Sequence, residues 1–136
     1  MNEPRLIEFD KIGDEEVGYI SVAQYEKNIP FSIQRVYWVY NTPEEVQRGN
    51  HAHKTCQQVI VAVKGTLEVI LENLEGRECV FRLDTPDKGL FIPEMHWRKI
   101  NFSSDAICVC LASSRYDEVD YIRAYEDFQA LKKTRT

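Results

Sequence analysis

Apolar residues recur at alternate positions in short runs along most of the chain, the period of half-buried strands rather than of helices. LIEFDKI (6–12) alternates in this way, and YISVAQY (19–25) predicts a second strand after Gly18. IQRVYWVYN (33–41), after Pro30, is rich in β-branched and aromatic residues. QQVIVAVKG (57–65) and TLEVILENL (66–74) flank Gly65 and predict a hairpin with a glycine turn. ECVFRLD (78–84), GLFIP (89–93) and AICVCLAS (106–113) complete the set of short strands. Only the C-terminal stretch, about 117–134, carries helical spacing, with Tyr121, Ala124, Tyr125, Phe128 and Leu131 three or four residues apart. The pattern predicts one all-β domain over 1–136, a sandwich or barrel with a short C-terminal helical segment.

A chain of 136 residues has room for one ordinary domain, and 43% hydrophobic residues suffice for a core. The net charge of -5, from 17 basic and 22 acidic residues, gives no electrostatic support to a broad polyanion-binding surface. Nucleic acid is therefore not an expected partner. The N-terminal residues lack the basic and apolar regions of a secretory signal. Runs such as VIVAV (59–63) and ICVCLA (107–112) fall far short of the roughly 20 residues a membrane span needs. Cys56, Cys79, Cys108 and Cys110 form no CxxC pair, and Cys108 and Cys110 share one strand face, a poor geometry for a disulfide. Reduced thiols in a cytoplasmic protein are expected.

Proton or metal chemistry near neutral pH would rest on three histidines, His51, His53 and His96. His51 and His53 lie in Arg48-Gly49-Asn50-His51-Ala52-His53. In an extended segment residues two apart face the same way, with α-carbons about 6.6–6.8 Å apart. Two imidazoles side by side can ligate a metal, move a proton or stabilise an oxyanion.

The HxH pair, Gln57, Gly65 and a later Gly89-x3-Pro93 segment resemble the two motif regions of a cupin, a jelly-roll β-barrel. More narrowly, RGNHAHK (48–54), QQVIVAVKG (57–65), NFSSDAICVCLAS (101–113) and RYDEVDYIRAYEDF (115–128) resemble the nucleotide-sugar 3,4-ketoisomerases of the WxcM-like C-terminal type. NIPFSIQRVYWVY (28–40) extends the likeness over nearly the whole chain. These small cupins convert a dTDP-linked 4-keto-6-deoxyhexose to its 3-keto isomer in deoxysugar biosynthesis. The resemblance implies that substrate as partner, a homodimer with exchanged N-terminal strands, and no metal or other cofactor. Metal-binding cupins usually place Glu four residues after the second His. Here that position is Gln57, a neutral amide and a poorer ligand, and a third ligand would have to be His96.

By the same resemblance His51 is the base, while His53 and Tyr37 hold or move protons on the C3 and C4 oxygens. Arg48 reads as an anion clamp for the pyrophosphate or the enediolate, against a surface charge paired with Glu44 or Glu45. Trp97 reads as a ring stacked on thymine or sugar and Arg98 as a second substrate contact, against a barrel-rim pair. Asp117 and Glu118 read as caps of the C-terminal helix. The rival functions are a metal-dependent cupin oxygenase, a sugar-nucleotide epimerase and a non-catalytic sugar-nucleotide-binding module.

Overall fold

The computed structural model describes residues 3–134. Twelve strands follow one another as β1 (Arg5–Glu8), β2 (Ile12–Asp14), β3 (Gly18–Ile20), β4 (Arg35–Val39), β5 (Arg48–His53) and β6 (Gln58–Lys64), then β7 (Leu67–Glu72), β8 (Glu78–Leu83), β9 (Lys88–Ile92), β10 (Trp97–Phe102), β11 (Ile107–Ala112) and β12 (Tyr121–Ile122). One helix, α1 (Tyr125–Thr134), follows β12 among the described residues. One five-stranded sheet has the order β1-β9-β6-β11-β4, the other β12-β5-β10-β7-β8, and β2 and β3 form a separate hairpin. The fold is the expected cupin-type, mostly β architecture.

The uninterrupted apolar run of β6 follows from burial on both faces. Ile60 and Ala62 face between the sheets with Leu67, Val69, Leu71, Leu90, Ile92, Ile100 and Phe102. Val59 and Val61 pack on the opposite face with Ile7, Phe9, Ile29, Phe31 and Phe91. A third cluster joins Trp97, Ala52, Leu74 and Ile122 to Phe128 of α1, with Tyr125 and Leu131 beside it.

Three expectations change. The predicted 57–65/66–74 hairpin does not form, because β6 pairs with β9 and β11 while β7 pairs with β8 and β10. Gly65, at φ 71°, instead marks a corner where the chain crosses between sheets. A β-carbon there would come within 2.6 Å of Ala106, so the corner has room only for glycine. The strand β10 escaped the period-2 reading because its inward positions begin with the charged Arg98. The helix is also shorter than expected: Glu118–Asp120 forms a 3-10 turn and Tyr121 lies in β12. Only Tyr125, Phe128 and Leu131 of the helical stripe pack from α1.

Candidate active site

The polypeptide in β5 departs from simple alternation just before the histidine pair. His51 lies opposite Arg98, but Gly49 lies opposite Lys99 and Arg48 opposite Ile100, so Asn50 is an inserted residue. Gly49 at φ 88° and Asn50 at φ 56° take the left-handed conformation of such a β-bulge. Residues three apart on a regular strand face opposite sides. The bulge shifts the phase, and Arg48 and His51 line the same cavity.

That cavity holds about 480 Å³. Tyr37 and Arg35 enter it from β4, Gln58 and Ile60 from β6, Arg98 and Ile100 from β10, and Cys108 and Cys110 from β11. Tyr116, Tyr121 and Arg123 approach from the C-terminal segment. Four arginines thus face one cavity whose described lining includes no carboxylate, in a chain of net charge -5.

His51 is half-buried, and its Nδ1 lies 3.1 Å from the Gly49 carbonyl oxygen. A carbonyl only accepts, so Nδ1 carries the proton and Nε2 keeps its lone pair. Burial, then the Arg98 charge, then His53 push the His51 pKa down to about 3. The ring is a neutral base at ordinary pH.

The His53 ring meets His51 edge-on at 5.1 Å between centroids and the Tyr121 ring at 4.4 Å. The two histidines do share one side of β5, but His53 is fully buried behind His51 and does not line the cavity. Its Nδ1 is 3.1 Å from Asp120. Burial, then Arg98, hold its pKa near 4 despite that carboxylate.

A second chain of bonds crosses between the sheets. Arg98 is 2% exposed and donates from Nη1 to the Gln58 amide oxygen at 2.6 Å. The Gln58 amide nitrogen must then face Tyr37, and it donates to the phenol oxygen at 2.9 Å. Burial, then Cys110, push the Tyr37 pKa up, so the phenol stays protonated. The Nε atoms of Arg35 and Arg98 are buried without a partner.

Of the residues expected from sequence, Tyr37, Arg48, His51 and Arg98 share the cavity. Trp97 does not, because Trp97 and Arg98 are adjacent on β10 and point to opposite faces. The Trp97 indole lies 5.3 Å from Tyr125 and 5.9 Å from Phe128, fastening the helix rather than facing the cavity. His96 lines a different cavity, with Glu94 and Met95. Gln57 donates to Glu94 and does not line the histidine cavity. Asp117 caps the 3-10 turn by accepting from the Val119 amide.

Sequence reasoning missed Gln58, Arg35, Asp120, Tyr121 and Arg123. Gln58 is in phase with the inward Ile60 and Ala62, and Arg35 with Tyr37 and Val39, so a polar residue at a core-facing position was the available signal. The last three were hidden by reading 117–134 as helix.

The family model described as "FdtA: WxcM-like, C-terminal" matches residues 2–133. The chain belongs to this family. It is 41% identical, over 93% of its length and 91% of the relative's, to TDP-4-oxo-6-deoxy-alpha-D-glucose-3,4-oxoisomerase of Aneurinibacillus thermoaerophilus. A 3,4-ketoisomerase from Helicobacter canadensis superposes with TM-score 0.90 at 36% identity, covering 96% of this chain and 98% of that one. QdtA, the Thermoanaerobacterium thermosaccharolyticum 3,4-ketoisomerase, gives TM-score 0.91 at 32% identity over 99% of this chain and 97% of that one. That structure is of a histidine-to-asparagine variant in complex with TDP-4-keto-6-deoxyglucose.

Proposed function

We propose that the chain acts as a single-domain isomerase that converts TDP-4-keto-6-deoxyglucose to a TDP-3-keto-6-deoxyhexose, with no metal or other cofactor. The observation that carries this reading is the cavity where the bare Nε2 of His51 stands among four arginines, of which Arg123 is already paired with Glu118. The kinship to 3,4-ketoisomerases supplies the reaction class.

The sugar reaches the histidine while its diphosphate takes donors from the arginines, whose guanidinium forks suit phosphate oxygens. His51 Nε2 removes the C3 proton, and the C3–H electron pair becomes the C3=C4 double bond of an enediolate with the charge on O4. Arg98, with the Tyr37 phenol it holds through Gln58, offsets that charge. The O3 proton passes to O4 by way of the Tyr37 phenol, while His53, buried behind His51, supports the base rather than touching the substrate. Collapse of the O3 electrons to a carbonyl draws the proton from His51 onto C4, leaving the ketone at C3. Atoms and charge balance without redox chemistry.

The active form is a homodimer with exchanged N-terminal strands. The β2–β3 hairpin exposes Ile12, Val17 and Ile20, and β4, the edge strand of its sheet, exposes Val36 and Trp38, with Tyr40 exposed just beyond its end. Apolar surface of this kind on a hairpin and an open edge suits mutual cover by a second copy. Unpaired thiols suit a cytoplasmic enzyme, and the product feeds deoxysugar biosynthesis for surface polysaccharide such as O-antigen or capsule. Incubation with TDP-4-keto-6-deoxyglucose, followed by NMR, tests the reading. A 3-keto product is expected, and binding without conversion would leave only the binding-module alternative.

A further inference from the structure

Asp120 takes no part in the steps above, yet it is tied to the site from both ends. Its Oδ1 accepts from the Thr55 amide at 2.8 Å and the Thr55 hydroxyl at 2.7 Å. Its Oδ2 accepts from the Cys56 amide at 3.2 Å and faces His53 Nδ1 at 3.1 Å. Its backbone carbonyl accepts from the Lys54 amide, and the next residue, Tyr121, pairs with His53 in the sheet. Burial opposes the charge, but these donors leave the carboxyl below its ordinary pKa, so it is ionised and can only accept. His53 must then carry its proton on Nδ1. The opposite nitrogen, Nε2, is buried with no hydrogen-bond partner, and its ring packs on His51 and Tyr121. A buried acceptor left unpaired opposes folding, and its place beside the base points to use during turnover.

We propose that Asp120 is a positioning residue of the isomerisation, holding His53 in the tautomer whose Nε2 is a bare acceptor beside His51. The inference rests on the isomerase reading. The same three residues suggest one competitor, since donor atoms of His53, Cys56 and Asp120 all lie within 4.8 Å of one another, as in a cation site. Both carboxylate oxygens already take protein donors, which favours the positioning role.

The test is Asp120→Asn in the full-length protein, read by long-range 1H–15N NMR of the histidine rings and by kinetics. An asparagine oxygen still accepts from Thr55, but its amide nitrogen then faces His53 and can only donate. The wild type is expected to show the His53 proton on Nδ1, and the variant on Nε2. With the wrong tautomer kcat falls on the order of 10²-fold while KM stays within about twofold. Asp120→Glu restores the Nδ1 proton and part of kcat. An unchanged tautomer in Asp120→Asn, or an inverted one with wild-type kcat, would overturn the proposal. So would stoichiometric Zn2+ that binds at His53 and is needed for turnover. Should Asp120→Asn not fold, Thr55→Val decides, because loosening the carboxylate must alter His53 shifts and lower kcat, and no change in either refutes the role. The tautomer is read without substrate, so it stands apart from a failure of the wild type to isomerise the TDP-sugar.

Discussion

The Gln58 amide oxygen lies 2.6 Å from Nη1 of the buried Arg98, and this contact sets the polarity of the bond to Tyr37 on the other side of the same amide. A guanidinium cannot accept, so Gln58 has one allowed orientation. The Tyr37 oxygen therefore accepts from Gln58, and the phenol proton is not held by the amide, with the Cys110 sulfur as its neighbour in the cavity.

Gln58→Leu removes both bonds at similar volume. Leaving Arg98 with an unpaired buried donor costs about 1–3 kcal/mol of stability. Turnover is expected to fall by roughly 10²-fold, the low end for loss of an organised proton-transfer group. Denaturant unfolding and steady-state kinetics check the two arms separately. Wild-type kcat in a destabilised variant would remove the amide from the mechanism.

The pH dependence follows from the direction of the His51 shift. A histidine at its ordinary value of about 6.5 would be half protonated at that pH and would lose half its activity as a base. Burial and Arg98 lower the free enzyme's value to about 3, so protonation sets in only far below that. kcat/KM is therefore expected to stay level from pH 8 down to about 5.5, measured by initial rates in buffers of constant ionic strength. A fall by half near pH 6.5 would mean that His51 is not held neutral by its surroundings.

Gly49→Ala tests the bulge that aligns Arg48 with His51. The added β-carbon would lie 2.8 Å from the Arg98 carbonyl oxygen, at a φ of 88° that L residues rarely adopt. Strain of this kind costs about 1–3 kcal/mol. Relief requires β5 to move from β10, so both Tm and affinity for TDP are expected to fall. A variant with unchanged TDP affinity by calorimetry would show that the phase shift at Gly49–Asn50 does not build the site.

Much of this architecture was legible in the chain because it depends on local period. The β-rich fold and the shared side of His51 and His53 follow from alternation on a strand, while Tyr37, in the unbroken apolar run VYWVY, was marked only by the family resemblance. The rest depends on pairing, which one strand cannot report. Gly65 signals a turn equally well whether the flanking strands bond to each other or to different sheets. Trp97 and Arg98 were both candidates for the site until β10 showed that neighbours on a strand cannot both face the cavity. Tyr121 satisfied a helical stripe by spacing alone, although its partner is His53 on a strand 68 positions earlier. Arg48 was placed correctly only because a bulge compensates for a three-residue separation that ordinary alternation forbids.

Trp97→Ala separates the two readings of that tryptophan. In the structure it supports α1 together with Phe128 and Tyr125, and its strand partner Glu72 accepts bonds from Tyr125 and Lys132. A loss of about 3–5 kcal/mol is expected, the usual cost of truncating a buried aromatic. TDP affinity of the folded fraction is expected to be unchanged. A selective loss of TDP binding at full stability would return the indole to the substrate.

The central claim is that His51 takes the proton from C3, and TDP-4-keto-6-deoxyglucose deuterated at C3 tests it most directly. Followed by NMR, the wild type is expected to remove deuterium from C3 as the 3-keto product forms. His51→Asn is expected to bind TDP as the wild type does and retain the label, its rate lower by at least about 10²-fold. Release of the label by His51→Asn at the wild-type rate, or a wild type that binds the sugar and leaves its C3 deuterium in place, would contradict the account.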